Sequence, residues 1–281
     1  MAPERLVVAG TGRAGTGVGL ALKSAGLNVT FITTGGPGLI AGIRAIPADD
    51  PSAPMDVDWV LLAVPDRLIP ESAALLADAG IAARRTMIGH LSGALPSSVI
   101  VPENAFACTF SAHPVFSFPL NDPPMPMPEG VVVMIETESD RGGRIARLFQ
   151  RIGARTATLR AEDKPLYHAA AVMCANLPMS LVYEAAAIFD ECGVPDPETT
   201  AVRLLQSVIN NQMRNPGAVS ITGPFVRADS TTIDGNLKAL AQRDPQGADM
   251  YRVLGERLAN LLFQNEILSE ESWKTLDKTL K

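Results

Sequence analysis

Lys164 and His168 are the pair whose residue types and spacing most directly suggest catalysis. They lie four residues apart in a helical stretch, so both side chains project from one helix face. An ammonium and an imidazole placed together can donate a proton to a reacting oxygen or nitrogen and stabilise negative charge that develops there. Asn176 follows about 80° further around the helix, so we expect all three side chains to line one cleft. The alternatives are a solvated lysine at a helix start and a buried histidine with satisfied hydrogen bonds.

A glycine-rich loop near the amino terminus has the pattern GxGxxG. Its residues are Gly10, Thr11, Gly12, Arg13, Ala14 and Gly15. The loop follows an apolar run typical of a strand and opens a helical stretch, which is the context in which this pattern binds a dinucleotide. Gly10 would allow a tight turn, Gly12 would let a pyrophosphate approach the backbone, and Gly15 would let helix and strand pack closely. The alternative is an ordinary glycine-rich turn.

The residues after the second predicted strand bear on the choice between NAD and NADP. An Asp or Glu there would bind the ribose hydroxyls of NAD. This sequence has Thr33 and Thr34 followed by two glycines, and its next carboxylate is Asp49. Hydroxyl groups and a glycine-rich loop can surround a 2′-phosphate, and Arg13 or Arg44 could supply positive charge. We therefore predict NADP as the cofactor, with NAD as the less favoured alternative.

A second turn, formed by Ala63, Val64 and Pro65, ends a later apolar strand. Ligands of a doubly wound sheet bind at the carboxyl ends of its strands, close to the point where the strand order reverses. We expect this turn to pass beneath the nicotinamide ribose. An ordinary strand-to-helix turn, capped by Asp66, is the alternative.

Two regions of different pattern must position these residues. Up to about residue 160, short apolar runs alternate with helical stretches, which is typical of βαβ units and a mostly parallel sheet. Strands are predicted at residues 5–9, 28–33, 58–64, 86–90, 107–111, 131–135 and 155–159, and helices at 13–25, 68–79 and 141–152. Residues 114–130 contain six prolines and are expected to form an ordered loop or a lid.

After residue 160 the pattern is helical. A long helix is predicted over residues 163–192 with a kink at Pro178, followed by helices from residue 197, over 230–243 and over 247–265. The predicted fold class is α/β. An N-terminal Rossmann dinucleotide-binding domain is expected over residues 1–160, and an all-helical domain for substrate binding and dimerisation over residues 161–281. We expect the active site in the cleft between them.

Composition excludes several classes of protein. With 47% hydrophobic and 19% charged residues the chain is not intrinsically disordered, and a net charge of −6 without basic runs argues against nucleic acid as a partner. Its three widely spaced cysteines predict free thiols in a reducing compartment and no metal site. The amino terminus lacks the pattern of a signal peptide. Because the most apolar stretch, 167–189, contains polar residues and a proline, a buried helix is favoured over a membrane span, and a cytoplasmic protein is expected.

Six stretches of the sequence resemble a known superfamily. They are GTGRAGTG, LLAVPD, GHLSGAL, SAHPVFSF, KPLYHAAAVMCAN and ITGPFVRADSTTI. The superfamily joins a Rossmann domain to a helical C-terminal domain and includes ketopantoate reductase, pyrroline-5-carboxylate reductase, prephenate dehydrogenase and the β-hydroxyacid dehydrogenases. Within it, the sequence is similar to a group of Rossmann-like oxidoreductases with a C-terminal domain of unknown function.

The resemblance implies roles for particular residues. In β-hydroxyacid dehydrogenases and ketopantoate reductases, a lysine and an asparagine four residues later act in catalysis; Lys164 matches, whereas the later position is His168. The HPVF segment resembles the HPM segment of prephenate dehydrogenases, whose histidine contacts substrate, and this implies substrate contacts for His113 and Ser92. Both residues follow predicted strands, although His113 could instead cap its strand. His90 is predicted to be structural.

A polar turn between two predicted helices contains Thr222, Arg227 and Asp229. A guanidinium group binds a carboxylate in a two-pronged geometry, so Arg227 is the candidate for a substrate carboxylate. Alternatively, Asp229 pairs with Arg227 or caps the following helix.

Together these features predict an NADP-dependent enzyme that reduces a small keto acid or imine, of the ketopantoate or pyrroline-5-carboxylate type. An oxidative dehydrogenase similar to those of prephenate or arogenate is one alternative. A dinucleotide-binding sensor without catalysis is another. A homodimer built through the helical domain is expected because the long helix is too apolar for a free surface.

Overall fold

A computed structural model describes residues 4–33, 38–40, 43–101, 103–120 and 123–281. It divides into two compact units, residues 1–175 and 176–281. The division falls later than the change in sequence pattern near residue 160. The difference is the first helix after the sheet, which belongs to the first unit because Lys164 and Tyr167 bond to a strand of that unit.

Nine strands among the described residues form one sheet. They are β1 (Arg5–Ala9), β2 (Asn28–Thr33), β3 (Gly38–Ile40), β4 (Ile43–Pro47), β5 (Trp59–Leu62), β6 (Met87–His90), β7 (Cys108–Pro114), β8 (Val132–Glu136) and β9 (Arg155–Thr158). Their order is β3-β4-β2-β1-β5-β6-β7-β8-β9. The parallel strands from β4 to β7 have the classical Rossmann order, which reverses between β1 and β5. β3 and β8 pair antiparallel with β4 and β7.

The central strands are buried on both faces. Leu6 and Val8 belong to the core on one face of the sheet, whereas Val7 and Ala9 belong to the core on the other. Successive side chains of a strand point to opposite faces, so a strand covered on both sides needs a continuous apolar run. The helices of this unit are α1 (Arg13–Ser24), α2 (Ile69–Asp78), α3 (Gly142–Gln150) and α4 (Lys164–Ala175).

β7 is longer than predicted, and this changes the position of His113. The prediction ended the strand at residue 111, whereas β7 continues to Pro114 and His113 pairs with Met134 of β8. His113 therefore lies within the strand, because the antiparallel partner β8 extends the hydrogen-bonded ladder past the ends of the parallel strands.

The proline-rich segment after β7 packs on α1. The amide of Met127 donates to the carbonyl of Gly17 at 2.8 Å. A Cβ atom at Gly17 would lie 2.7 Å from the ring of Phe118, so only glycine lets this ring rest on the helix. The described part of the segment is thus an ordered loop fixed beside the glycine-rich turn.

The second unit is helical. It contains α5 (Leu177–Glu191), α6 (Pro197–Arg214), α7 (Ser230–Arg243), α8 (Pro245–Gln264) and α9 (Glu270–Leu280). The predicted long helix is two helices, α4 and α5, separated at Asn176, because the proline at position 178 can occupy only the first turn of a helix. One core joins α7, α8 and α9, and a smaller one joins α5 to α6.

The most apolar stretch is largely exposed. Residues Ala161–Glu191 are long and apolar enough to cross a membrane by length and composition, and 11% of their most apolar window is buried. The prediction that this stretch forms a buried helix is therefore wrong for the single chain. In α5 the buried positions are Val182 and Ala186, since the core shared with α6 is small, while Tyr183 is 60% exposed.

Candidate functional site

The glycine-rich turn packs against the end of β5 without room for side chains. Gly10 has a φ of +108°, and a Cβ atom there would lie 2.4 Å from the carbonyl oxygen of Ala63. A Cβ atom at Gly15 would lie 2.4 Å from the carbonyl oxygen of Gly10 and 2.7 Å from Cβ of Ala63. These two glycines therefore hold β1, α1 and the turn after β5 in close contact, as the sequence predicted.

Gly12 differs because the space in front of it is open. It caps the start of α1 without a side chain, and no atom of the described residues lies within 4 Å of the position of a Cβ. Thr11 and Arg13 beside it are exposed, and Ala14 is half-buried. The first N–H groups of α1 thus face an open space beside a bare backbone, an arrangement that fits a pyrophosphate.

The other residues predicted to bind the cofactor show no comparable geometry among the described residues. Thr33 is the half-buried last residue of β2, and Thr34 lies outside the described residues. Ala63 and Val64 are half-buried and Pro65 is exposed, directly after β5. Asp66 does not cap a helix; its carboxylate instead accepts a hydrogen bond of 2.9 Å from the hydroxyl of Ser92.

Ser92 organises the turn after β6. Its amide donates to Nδ1 of His90 at 3.2 Å, and its Oγ accepts the amides of Ala94 and Leu95. Burial lowers the pKa of His90 to about 4, so this ring is neutral, and its Nε2 donates to the carbonyl of Pro96 at 3.1 Å. His90 is structural, as predicted. The Ser92 hydroxyl is engaged in the turn and with Asp66.

Lys164 is buried, with 1% of its surface exposed, so the alternative of a solvated lysine is wrong. Its ammonium donates to Oγ of Ser111 at 2.6 Å and to the carbonyl of Ser92 at 3.3 Å. Burial lowers the pKa of Lys164, and the carboxylates of Glu136 and Asp66 partly oppose this shift. A buried charge is tolerated only with such compensation. Lys164 thus ties the start of α4 to the ends of β6 and β7.

Tyr167 and His113 form a close pair. The Tyr167 hydroxyl lies 2.5 Å from Nδ1 of His113, and the two rings meet edge to face with centroids 5.6 Å apart. Burial is the main cause that lowers the pKa of His113 to about 4, helped by the nearby His168 and Lys164. Burial raises the pKa of Tyr167 to about 12. Near neutral pH the pair is therefore a neutral imidazole and a protonated phenol.

His168 lies close to His113. Its Nδ1 is buried and has no hydrogen-bond partner among the described residues, so a histidine with both nitrogens satisfied is also wrong. An unpaired buried group of this kind costs about 1–3 kcal/mol. The His168 and His113 rings are 6.2 Å apart between centroids. Gly93 lies between them, and a Cβ atom there would be 2.7 Å from Nδ1 of His168 and 2.9 Å from Nε2 of His113.

Four predicted site residues belong to the second unit. Asn176 is exposed at the start of α5, and Thr222 and Arg227 are exposed before α7. Asp229 caps α7 by accepting hydrogen bonds from the amide and hydroxyl of Thr232, which lower the pKa of its carboxyl. The capping alternative for Asp229 is therefore confirmed.

The structure adds residues that sequence reasoning missed. Tyr167 lies three positions after Lys164, a spacing that places both on one helix face. Ser111 and His113 share one face of β7 because they are two residues apart. No sequence pattern singled out Gly93. Among the described residues, no three His, Cys, Asp or Glu side chains are grouped so as to hold a metal ion.

Comparison with known proteins identifies the fold. Residues 131–258 match the model of a family described as "Domain of unknown function (DUF2520)". No curated protein matches the sequence. The crystal structure of protein TM1727 from Thermotoga maritima is 22% identical and has a TM-score of 0.72, covering 93% of this chain and 99% of that one.

Two further structures agree with this. BF3122 from Bacteroides fragilis, a provisionally assigned NADP oxidoreductase, is 17% identical with a TM-score of 0.70, covering 91% of this chain and 98% of that one. Pyrroline carboxylate reductase from Plasmodium falciparum, solved with NADP bound, is 10% identical with a TM-score of 0.52, covering 99% and 98%. The predicted fold class is confirmed, and the family match agrees with the resemblance to Rossmann-like oxidoreductases that carry a C-terminal domain of unknown function.

Proposed function

We propose that this chain is an NADP-dependent oxidoreductase that reduces the carbonyl or imine group of a small carboxylic acid. The observation that carries the proposal is a group of proton-bearing side chains at the carboxyl ends of β6 and β7. Lys164, Tyr167, His168 and His113 meet there within one unit. The Ser92–Asp66 hydrogen bond links this group to the turn after β5, against which the glycine-rich loop packs.

The cofactor end of the site is the glycine-rich loop. Open space at Gly12 and the N–H groups in the first turn of α1 suit a pyrophosphate. The lack of an acidic residue at the end of β2 favours NADP over NAD, because a carboxylate there would repel a 2′-phosphate. When bound, the reduced cofactor would supply a hydride to the substrate.

The proton end of the site is His168. Its imidazole lies near that of His113, with ring centroids 6.2 Å apart, and in its protonated form it can donate the proton that the reduced oxygen or nitrogen requires. Lys164 is buried close enough to His113 to act on it electrostatically, and its positive charge would stabilise negative charge that develops on the substrate. Of the pair chosen from the sequence, this assignment makes His168 and not Lys164 the proton donor.

The proposed substrates are small keto acids and cyclic imino acids of the ketopantoate or pyrroline-5-carboxylate type. The relative with NADP bound is named a pyrroline carboxylate reductase, which motivates the second class. Arg227, exposed before α7, stays the candidate for the substrate carboxylate. The resemblance of the segment around His113 to prephenate dehydrogenases keeps oxidation of a prephenate-like acid as an alternative, so the reaction must be tested in both directions.

The test is consumption of cofactor by the purified chain. NADPH with a panel of 2-keto acids and cyclic imines should lose its absorbance, and NADP⁺ with the corresponding reduced acids and prephenate should show the reverse reaction. A sensor protein would bind NADPH and reduce none of the panel, and this result would refute an enzymatic function.

We also propose a cytoplasmic homodimer formed through the helical unit. Large apolar side chains are exposed along its helices: Leu181 and Tyr183 on α5, Leu204, Val208 and Met213 on α6, and Val253, Leu254 and Leu261 on α8. An exposed apolar surface of this extent is unusual for a monomer and typical of an association surface. The three cysteines are unpaired, which suits a reducing compartment.

A further inference from the structure

Glu136 is a buried carboxylate that the proposed reaction does not use. It ends β8, and 3% of its surface is exposed. One of its oxygens accepts a hydrogen bond of 2.6 Å from the amide of Ser97, and the other accepts a bond of 2.8 Å from the Ser97 hydroxyl. Hydrogen bonds donated to both oxygens stabilise the ionised form of a carboxyl group. An ionised carboxylate is nevertheless costly to bury unless a positive charge compensates it.

Ser111 is the link between Glu136 and the buried positive charge of Lys164. Ser111 of β7 is paired with Glu136 in the antiparallel register of β7 and β8. Residues paired in this way project from one face of the sheet, with Cβ atoms about 5 Å apart. The Ser111 hydroxyl also accepts the 2.6 Å hydrogen bond from the Lys164 ammonium. The residues that carry the buried anion and the buried cation are thus both neighbours of one buried serine.

The other ionisable groups around Lys164 compensate its charge less well than Glu136. Burial lowers the pKa of Lys164, and of the two carboxylates that oppose this shift Glu136 has a larger effect than Asp66. Asp66 is exposed, so water screens its charge, whereas Glu136 is buried. His90 and His113 also interact electrostatically with Lys164, but burial lowers the pKa of each to about 4, so both are neutral near pH 7.

We propose that Glu136, held in its ionised form by Ser97, is the counter-ion that keeps the buried amine of Lys164 charged on Ser111. Glu136 is then a positioning residue, because it acts through Lys164. The proposal rests on the proposed function only for its consequence in catalysis, which is that the positive charge offered to the substrate depends on Glu136. The charge of Lys164 itself can be measured without any reaction.

The first test is a pH titration of Lys164 in the free protein. Nuclear magnetic resonance of protein labelled with ¹³C and ¹⁵N in its lysines follows each side-chain amine, and the signal lost in Lys164→Met is that of Lys164. We expect a charged amine at pH 7. In Glu136→Gln, which keeps the shape of the side chain and removes its charge, the midpoint of the titration should fall by about one pH unit or more. Glu138→Gln, which removes an exposed carboxylate two residues later, should leave it unchanged.

Three results of this titration would overturn the proposal. They are a neutral Lys164 at pH 7 in the unaltered protein, the same midpoint in Glu136→Gln as in the unaltered protein, and a larger fall in Asp66→Asn than in Glu136→Gln. None of them depends on turnover. A chain that reduces no member of the substrate panel would refute the proposed function and leave the result of the titration standing.

The second test is a double-mutant cycle on stability, which also serves if Glu136→Gln alone does not fold. Glu136→Gln and Lys164→Met each leave one buried charge without its partner, whereas the double variant removes both charges. The double variant should therefore fold, and its loss in melting temperature should be smaller than the sum of the losses in the two single variants. Additive losses, or a double variant less stable than that sum, would contradict a Glu136–Lys164 pair.

Discussion

The ammonium of Lys164 donates a 2.6 Å hydrogen bond to the hydroxyl of Ser111, and both side chains are buried. This contact joins the first turn of α4 to β7, two strands along from the turn that follows β5. It explains why α4 belongs to the unit that contains the sheet, although its sequence lies in the helical region after residue 160. It also holds a positive charge near His113.

Removing that charge should affect turnover more than cofactor binding. In Lys164→Met the side chain keeps its length and loses its charge, so developing negative charge on the substrate is no longer stabilised. We expect kcat to fall by about 10²–10⁴ while the Kd of NADPH stays within a few-fold. Lys238→Met, which alters an exposed lysine of α7, is the matched control. Unchanged kcat in Lys164→Met would remove Lys164 from the mechanism.

Substitutions at two glycines of the dinucleotide loop should affect different properties, one the binding of NADPH and the other the stability of the fold. Gly12→Val adds a side chain in open space, so the protein should fold normally and lose NADPH binding, because the side chain occupies the place of the pyrophosphate. Gly10→Ala should instead lower the melting temperature, because its Cβ would collide with the Ala63 carbonyl. Fluorescence titration of NADPH together with thermal unfolding measures both. Normal NADPH affinity in Gly12→Val would show that the cofactor binds elsewhere.

NADPH should bind more tightly than NADH. The preference follows from the missing carboxylate at the end of β2, and the same titration with NADH measures it. Tighter binding of NADH would contradict the prediction.

Acid should destabilise the protein through its buried histidines. The pKa values of His90 and His113 are each lowered from 6.5 to about 4, mainly by burial. A group whose folded pKa is lowered contributes stability that is present above its unfolded pKa, so this contribution is lost as the pH falls from about 6.5 to about 4. Between pH 7 and pH 5, the free energy of unfolding should fall by on the order of 1–2 kcal/mol for each histidine. Urea unfolding at the two pH values tests this, and the pH dependence should be smaller in His113→Gln. An equal dependence in that variant would mean that His113 is not neutral in the folded protein.

The association surface should be sensitive to charge on α6. Light scattering at micromolar concentration should give twice the chain mass of 29.7 kDa. Val208→Lys places a charge among exposed apolar residues and should shift the mass towards the monomer. Thr275→Lys, on the exposed face of α9, should leave it unchanged. A monomer in the unaltered protein would contradict the proposed dimer.

The sequence predicts the Rossmann part of the fold closely because its signals are local. Residues 5–9 and 28–33 are strands to the residue, since each is an apolar run bounded by residues that end strands. The short strands β3 and β4, beside a glycine-rich segment, gave too little periodicity to predict. Helix α9 was also missed, although Ser269 caps it and Leu276 and Leu280 lie one turn apart.

The candidate site was predictable in part. Lys164 and His168 were chosen from residue type and spacing, and His113 from its place after a predicted strand and from the resemblance of its HPVF segment; the structure brings the three together. Tyr167 contacts His113 across 54 residues of sequence, and Gly93 matters because two side chains from other elements converge on it. Such contacts are set by tertiary packing, which the periodicity of helices and strands in the sequence does not predict. The exposure of Asn176 follows from the break between α4 and α5, where the predicted helical angle no longer applies.

The most direct test of the proposed chemistry is transfer of deuterium from NADPH that is deuterated at the reactive carbon of its nicotinamide. Each member of the keto acid and cyclic imine panel is incubated with the deuterated cofactor and the protein, and the products are analysed by mass spectrometry. If the chain is the proposed reductase, at least one product will carry one deuterium, and its yield will collapse in Gly12→Val and in His168→Ala. If no member of the panel acquires deuterium, or if both variants transfer it as well as the unaltered protein, the proposed reductase and its site are wrong.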